Sequence, residues 1–303
     1  MMFGDIREKP HLSQEDVLEL NFIRDPGIYV FRRHYRAGLR SHIMEVLSPE
    51  AVENEARGIV IDGSKWYPRA EPLKMLRIFR TRFGSLAEAR DEVSRVKIIE
   101  TYLGPDNFAR SDEFLVDYFM NGRRELLLCG LQEYVKGVVL DPWVHLDDDL
   151  LMSIFHRLVL EKAEKSALTA EQWLNMVKTK AEVFVEKVKR MILDAGHVPD
   201  LAGVGNLLLT RSGDIKLVDI NNISEVSFNS VITRDDKGYP VCDKSIEALS
   251  LLEQKLLDRP ANPDDLIYKI YLDPRRMMDV KSVEKEFYLS LESAMDHPES
   301  SPS

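Results

Sequence analysis

One segment constrains this chain more than any other. It runs His197-Val198-Pro199-Asp200-Leu201-Ala202-Gly203-Val204-Gly205-Asn206, continues through Leu207–Thr210 and a turn, and closes on Ile215-Lys216-Leu217-Val218-Asp219. The two apolar runs around the turn read as a tight antiparallel hairpin. Asn206 and Asp219 are thirteen positions apart. Two antiparallel strands of about four residues therefore bring both to the open end of the hairpin, one on each side of its mouth. Two hard oxygen donors converging there suit a Mg²⁺ ion that is also held by substrate phosphates. Asp200, one loop further back, is placed to take a proton from an attacking hydroxyl.

The bulk properties narrow the remaining choices. A chain of 303 residues is long enough for one large domain or two lobes with a sizeable core. Hydrophobic content of 44% and charged content of 30% are ordinary for a soluble globular protein. A net charge of −10 argues against nucleic acid or an anionic membrane as the main partner, because both reward basic surfaces. Cys129 and Cys242 are the only cysteines and have no metal-ligand spacing, so neither a disulfide framework nor a zinc site is expected. The opening MMFGDIREKPHLSQEDVLEL carries acidic residues and no apolar h-region, which predicts no signal peptide. No apolar run approaches the roughly 20 residues of a membrane span. The expected setting is the cytoplasm.

Along the chain, residues 1–25 read as a polar arm with one weak amphipathic helix near Ser13–Phe22. Strand-like pieces follow at Gly27–Phe31, Gly58–Ile61 and Leu73–Phe79, with a hairpin signal at Asp62-Gly63-Ser64. Ser85-Leu86-Ala87-Glu88 is a capping box opening a helix whose apolar residues are Leu86, Ala89, Val93, Val96 and Leu103. Gly104-Pro105 ends it. Phe114–Phe119 and Glu125–Val135 read as strands around a turn at Asn121-Gly122. Leu146–Leu193 is helical in two pieces, the second carrying Trp173, Val177, Ala181, Phe184, Val188 and Met191 on one stripe. Ser245–Leu257 and Val280–Ala294 read as further helices, and residues 297–303 as a disordered tail. Strand and helix are segregated, which predicts an α+β chain in two lobes, strand-rich over 26–135 and helical over 136–296.

At these residues the chain resembles the protein-kinase-like superfamily, which includes protein kinases and small-molecule kinases such as aminoglycoside phosphotransferases. Gly205-Asn206-Leu207-Leu208-Leu209 and Gly213-Asp214-Ile215-Lys216-Leu217-Val218-Asp219 carry the resemblance most specifically. Glu133-Tyr134-Val135-Lys136-Gly137 looks like the hinge between lobes, where backbone groups of Glu133 and Val135 would bond an adenine edge. Glu92, on the capped helix, looks like the acid that pairs with a basic residue on the preceding strand, itself a phosphate contact. Lys74 and Arg77 both lie on that strand, on opposite faces. Lys74 has the family's residue type, while Arg77-Ile78-Phe79 has the local look of the family's lysine segment.

The resemblance implies a bilobal kinase fold of atypical, bacterial type that binds ATP and Mg²⁺. It further implies transfer of phosphate to a hydroxyl of an unknown small-molecule or protein acceptor. Asp200 would be the catalytic base, and Asn206 and Asp219 the metal ligands. The sequence also departs from the family pattern. No G-x-G-x-x-G precedes the basic strand, and Asn206 stands six residues after Asp200, one more than in protein kinases. Pro199 replaces an Arg, and Ile220-Asn221 replaces Phe-Gly after Asp219. These departures keep a second reading open, a pseudokinase-type regulatory or nucleotide-binding module without turnover. The plainer readings are a turn-capping Asp219, a turn Asn206, a turn-initiating Asp200 and a solvated Glu92. His197 reads as structural, and Asp147-Asp148-Asp149 as a helix start.

Overall fold

The computed structural model describes residues 5–35, 40–120, 123–160 and 168–296. The expected turn at Asn121-Gly122 and the tail 297–303 lie outside the described residues. The fold is mixed α and β, and backbone proximity separates the chain into two units. The first comprises Met1–Ser94 with Ala109–Tyr134, the second Arg95–Phe108 with Val135–Ser303.

The first unit contains α1 (Gln14–Leu18), β1 (Val30–Arg33), β2 (Ser41–Leu47), α2 (Pro49–Arg57), β3 (Ile59–Ile61), β4 (Ser64–Trp66), β5 (Lys74–Phe79), the start of α3 (Leu86–Leu103), β6 (Ser111–Met120) and β7 (Arg123–Glu133). An antiparallel five-stranded sheet runs in the order β1-β2-β5-β7-β6. Its register sorts side chains onto two unlike faces. Phe31, Met44, Val46, Leu76, Ile78, Val116, Leu127 and Cys129 share one face and form a core with Ile6, Leu12, Val17 and Leu20. Those last four come from the segment expected as a polar arm. Polar contacts fasten the same segment: the Ile6 amide donates to the Tyr118 hydroxyl at 3.0 Å, and the Arg80 guanidinium donates to the carbonyls of Arg7 and Pro10. The other face is mixed, carrying buried Glu45, Arg77, Ser111 and Gln132 beside buried Met75, Phe79 and Leu128.

Several boundaries differ from expectation for local reasons. The strand expected from Gly27 starts at Val30, because the Asp25 carboxylate and carbonyl accept the amides of Gly27 and Ile28 in a turn. The strand expected to reach Val135 stops at Glu133, opposite Lys74, where β5 itself begins. β2 was not anticipated. Nearly every residue of Ser41–Leu47 is buried, on both faces, so no polar–apolar alternation marks it. α2 has a good start, Ser48 accepting the Ala51 amide at 3.1 Å with Pro49 next, yet buries none of its residues. The Asp62-Gly63 hairpin forms as expected, both residues having positive φ (49° and 76°).

The second unit contains the end of α3, β8 (Gly137–Val139), α4 (Asp148–Phe155), a π-helical turn (His156–Leu160), α5 (Ala170–Ala195), β9 (His197–Pro199), β10 (Leu207–Thr210), β11 (Ile215–Leu217), β12 (Ile223–Glu225), α6 (Val241–Leu257), α7 (Leu266–Tyr271) and α8 (Pro274–Asp296). Asp147 caps α4 as expected, accepting the Leu150 amide at 2.9 Å. The α5 stripe from Trp173 to Met191 is fully buried. β10 pairs with β11 and β8, and β12 with β9. Asn107, just past α3, clips onto the hairpin. Its carbonyl accepts the Leu217 amide, its side chain donates to the Ile215 carbonyl, and Lys187 donates to its side-chain oxygen at 2.8 Å. On the far side, buried Arg276 of α8 pairs with Asp243 of α6 and donates to the carbonyls of Asn229 and Val231. Among the described residues no helix is long and apolar enough to cross a membrane.

Candidate functional site

The loop between β9 and β10 is built around Asp200. Its carboxylate Oδ1 accepts the amides of Ala202 at 3.0 Å and Gly203 at 3.1 Å, while Oδ2 accepts the Asn222 side-chain amide at 2.9 Å. The Asp200 amide donates back to the Asn222 carbonyl at 2.8 Å, extending the β9–β12 ladder by one step. Asn222 therefore holds Asp200 from both its backbone and its side chain. The sequence offers no sign of this role for Asn222, because nothing local shows that β12 folds back beside β9.

Asn206 is positioned from the same loop. Its side-chain nitrogen donates to the Asp200 carbonyl at 3.0 Å and its amide to the Gly203 carbonyl at 3.0 Å. Its own carbonyl accepts the Val218 amide at 2.8 Å, one step beyond the Leu207–Leu217 pair that ends the hairpin. A Cβ at Gly203 would lie 2.4 Å from that side-chain nitrogen, so the packing of Asn206 requires glycine at 203. Because the nitrogen is spent on Asp200, the side-chain oxygen is the group left to act as a ligand. Asp219 follows Val218 directly and is half-buried.

Electrostatics joins the two carboxylates. Burial first, and then the neighbouring charge of Asp219, push the Asp200 carboxyl above the ordinary carboxylate range; the three donors pull the other way. The loop is braced from outside as well. The Trp143 indole donates to the Ala202 carbonyl at 2.9 Å, and the Leu201 amide donates to the Ser245 hydroxyl at 3.2 Å. Neither residue carried a signal in the sequence, since both reach the loop only through tertiary folding. His197 is structural as expected, its Nδ1 lying 2.6 Å from the Ala195 carbonyl oxygen.

The donor set suits one kind of metal. Among the described residues no group of three or more His, Cys, Asp and Glu gathers to hold an ion unaided. Asp219 and the Asn206 oxygen are hard ligands, and so few of them fit Mg²⁺, which keeps waters and takes substrate phosphates to complete its shell.

The remaining candidates divide by unit. In the first, Lys74 is exposed at the start of β5, whereas Arg77 is buried in its middle and donates to the Gln132 side-chain oxygen at 3.5 Å. The guanidinium carbon also lies 5.8 Å from the centre of the Phe79 ring. Glu92 is half-buried on α3. Glu133 ends β7, donating its amide to the Arg110 carbonyl at 2.7 Å and accepting the Arg110 amide on its carboxylate. In the second, Val135 is buried in the stretch before β8.

No protein-family model matches the sequence. No curated protein matches it either. Among solved structures, the ROP18 kinase domain in complex with AMP-PNP and sucrose aligns over 88% of this chain and 80% of that one, at 12% identity and a TM-score of 0.35. That neighbour is a protein kinase domain; at this score the likeness carries no weight, and function is read from the residues.

Proposed function

We propose that the chain is a kinase-like phosphotransferase that takes ATP with Mg²⁺ and transfers a phosphoryl group to a hydroxyl acceptor. The observation behind the reading is that Asn206 donates to the Asp200 carbonyl and accepts the Val218 amide beside Asp219, while the Asp219 charge acts on the Asp200 carboxyl. Asp219 and the Asn206 oxygen hold Mg²⁺, which when bound neutralises phosphate charge. Asp200 takes the acceptor proton. A carboxyl raised above its ordinary range by burial is a better base near neutral pH than an exposed one. Its three donors leave one of roughly four lone-pair positions for the acceptor hydroxyl.

Arg77, rather than Lys74, is the phosphate contact of the first unit, because it lies buried on one face of the sheet beside Gln132 while Lys74 stands exposed on the other. Arg grips phosphate oxygens in a planar fork. Glu92 is its helix partner. The regulatory reading, a nucleotide-binding module without turnover, is favoured by one observation: three protein donors, two from its own loop and one from Asn222, already bond the Asp200 carboxylate.

Both readings are tested by thermal unfolding. ATP with Mg²⁺ is expected to raise the melting temperature more than either alone, with a gain of about 2.7 kcal/mol at 100 times the dissociation constant. No shift with any adenine or guanine nucleotide at millimolar concentration removes both.

A further inference from the structure

The peptide between Ala202 and Gly203 has two polar ends, and both are occupied. Its N–H, from Gly203, donates to Oδ1 of Asp200 at 3.1 Å, and its C=O, from Ala202, accepts the Trp143 indole at 2.9 Å. A trans peptide is planar, with these two groups pointing in opposite directions. Whatever fixes the carbonyl therefore also aims the amide. The plane can turn by opposed rotations about the Ala202 Cα–C and Gly203 N–Cα bonds, and glycine tolerates backbone angles that other residues resist. A grip from outside the loop removes that freedom.

Trp143 is itself held at its ring and at its backbone. The Lys244 ammonium lies over the ring, 4.3 Å from its centre. Lys244 is buried and paired with Glu247 at 2.8 Å and with Glu284 of α8 at 3.2 Å, so the cation stays where it is. Lys255 donates to the carbonyls of Pro142 at 2.7 Å and Val144 at 2.8 Å, one on each side of Trp143. The Trp143 amide donates to the Asp141 carboxylate at 2.9 Å. Lys244 and Lys255 both belong to α6, which also supplies the Ser245 hydroxyl that accepts the Leu201 amide. One helix thus sets the place of the indole and of the loop that the indole grips. A ring kept only for its apolar area needs neither the ammonium above it nor the clamp on its backbone.

We infer that Trp143 is a positioning residue for Asp200: by holding the Ala202 carbonyl it keeps the Gly203 amide on the carboxylate, and so keeps the carboxylate in one orientation toward the acceptor hydroxyl. The inference rests on the reading of Asp200 as the base of a phosphotransferase. The Ala202 amide and the Asn222 side chain bond the same carboxylate independently of Trp143, so loss of the indole donor loosens Asp200 without releasing it.

Two measurements on the full chain test this. The first is amide hydrogen exchange by NMR in wild type and Trp143→Phe, which keeps a ring beneath Lys244 and removes the donor. The Gly203 amide is expected to exchange about five- to tenfold faster in the variant, the worth of one hydrogen bond, while the Asp200 amide, bonded to the Asn222 carbonyl, keeps its rate. Equal acceleration at both amides, or none at Gly203, overturns the proposal by making Trp143 a packing residue only. If Trp143→Phe does not fold, the wild type is followed in increasing urea: the Trp143 indole proton and the Gly203 amide should open together, and unlike dependences on urea overturn the proposal. The second measurement is release of phosphate from ATP with Mg²⁺, water standing in for the acceptor. Trp143→Phe should lower kcat by about five- to tenfold and leave the KM for ATP unchanged. An unchanged kcat, with or without a raised KM, overturns the proposal. If the wild type releases no phosphate, the phosphotransferase reading fails by itself, and the exchange measurement still decides whether Trp143 holds the peptide.

Discussion

Acidification is expected to destabilise the fold through one histidine. His42 on β2 is 6% exposed, and its Nε2 lies 3.0 Å from the Ile6 carbonyl oxygen while its Nδ1 lies 3.4 Å from Nη2 of Arg80. Arg80 can only donate, so Nδ1 accepts and Nε2 carries the proton, and the ring is neutral. Burial first, and the Arg80 charge second, bring its pKa down from 6.5 to about 4; Arg33 adds to the lowering, and the Ile6 carbonyl and Asp16 oppose it. The folded value lies below the unfolded one. Stability from the neutral ring is therefore fully present above pH 6.5 and is lost as pH falls through about 4. At about 1.36 kcal/mol per pH unit, that gap sets a ceiling of about 3.4 kcal/mol, of which roughly 2 is gone by pH 5. The assay is urea unfolding of wild type and His42→Gln from pH 7 to pH 4. Glutamine keeps a donor for Ile6 and does not titrate, so the wild-type advantage should shrink by about 3 kcal/mol across the range. Parallel profiles for the two proteins would refute the reasoning.

The site makes further predictions. Asp219→Asn should abolish the Mg²⁺-dependent part of nucleotide binding, measured by titration with and without Mg²⁺, because a charged hard ligand becomes a weak neutral one. Asp200→Asn should leave that binding nearly intact and cut phosphoryl transfer about 10²-fold or more; loss of binding would make Asp200 a metal ligand instead. The same variant should melt higher than wild type at pH 7. A carboxyl raised in the fold contributes stability below its unfolded value of 3.8 and loses it as pH rises through the raised value, so the gain should vanish in acid. Arg77→Met should weaken nucleotide binding while Lys74→Met leaves it largely unchanged; the reverse result would move the phosphate contact to Lys74.

Much of the local architecture is legible in the residues because the forces that set it act over a few positions. Asp62-Gly63 adopts a turn that few residue pairs tolerate, Asp147 satisfies the amide at the start of α4, and the stripe from Trp173 to Met191 has helical period. The backbone bond from Val218 to Asn206 at the hairpin mouth belongs to the same class, since the turn sets the hairpin register. β2 escapes such a reading because a strand buried on both faces has no alternation to detect.

The hairpin, the loop that carries Asp200 and the opposite facing of Lys74 and Arg77 can be read from the residues, because each follows from backbone periodicity or turn chemistry. What those positions do depends on how distant parts of the chain come together. Which strand face joins the apolar core depends on the segment from Ile6 to Leu20 closing over it, and that covering leaves Arg77 on the opposite side. Asn222 reaches Asp200 because β12 returns beside β9. That contact joins residues 22 positions apart, and no local preference encodes it; it exists only once burial of the apolar core has folded the chain back on itself.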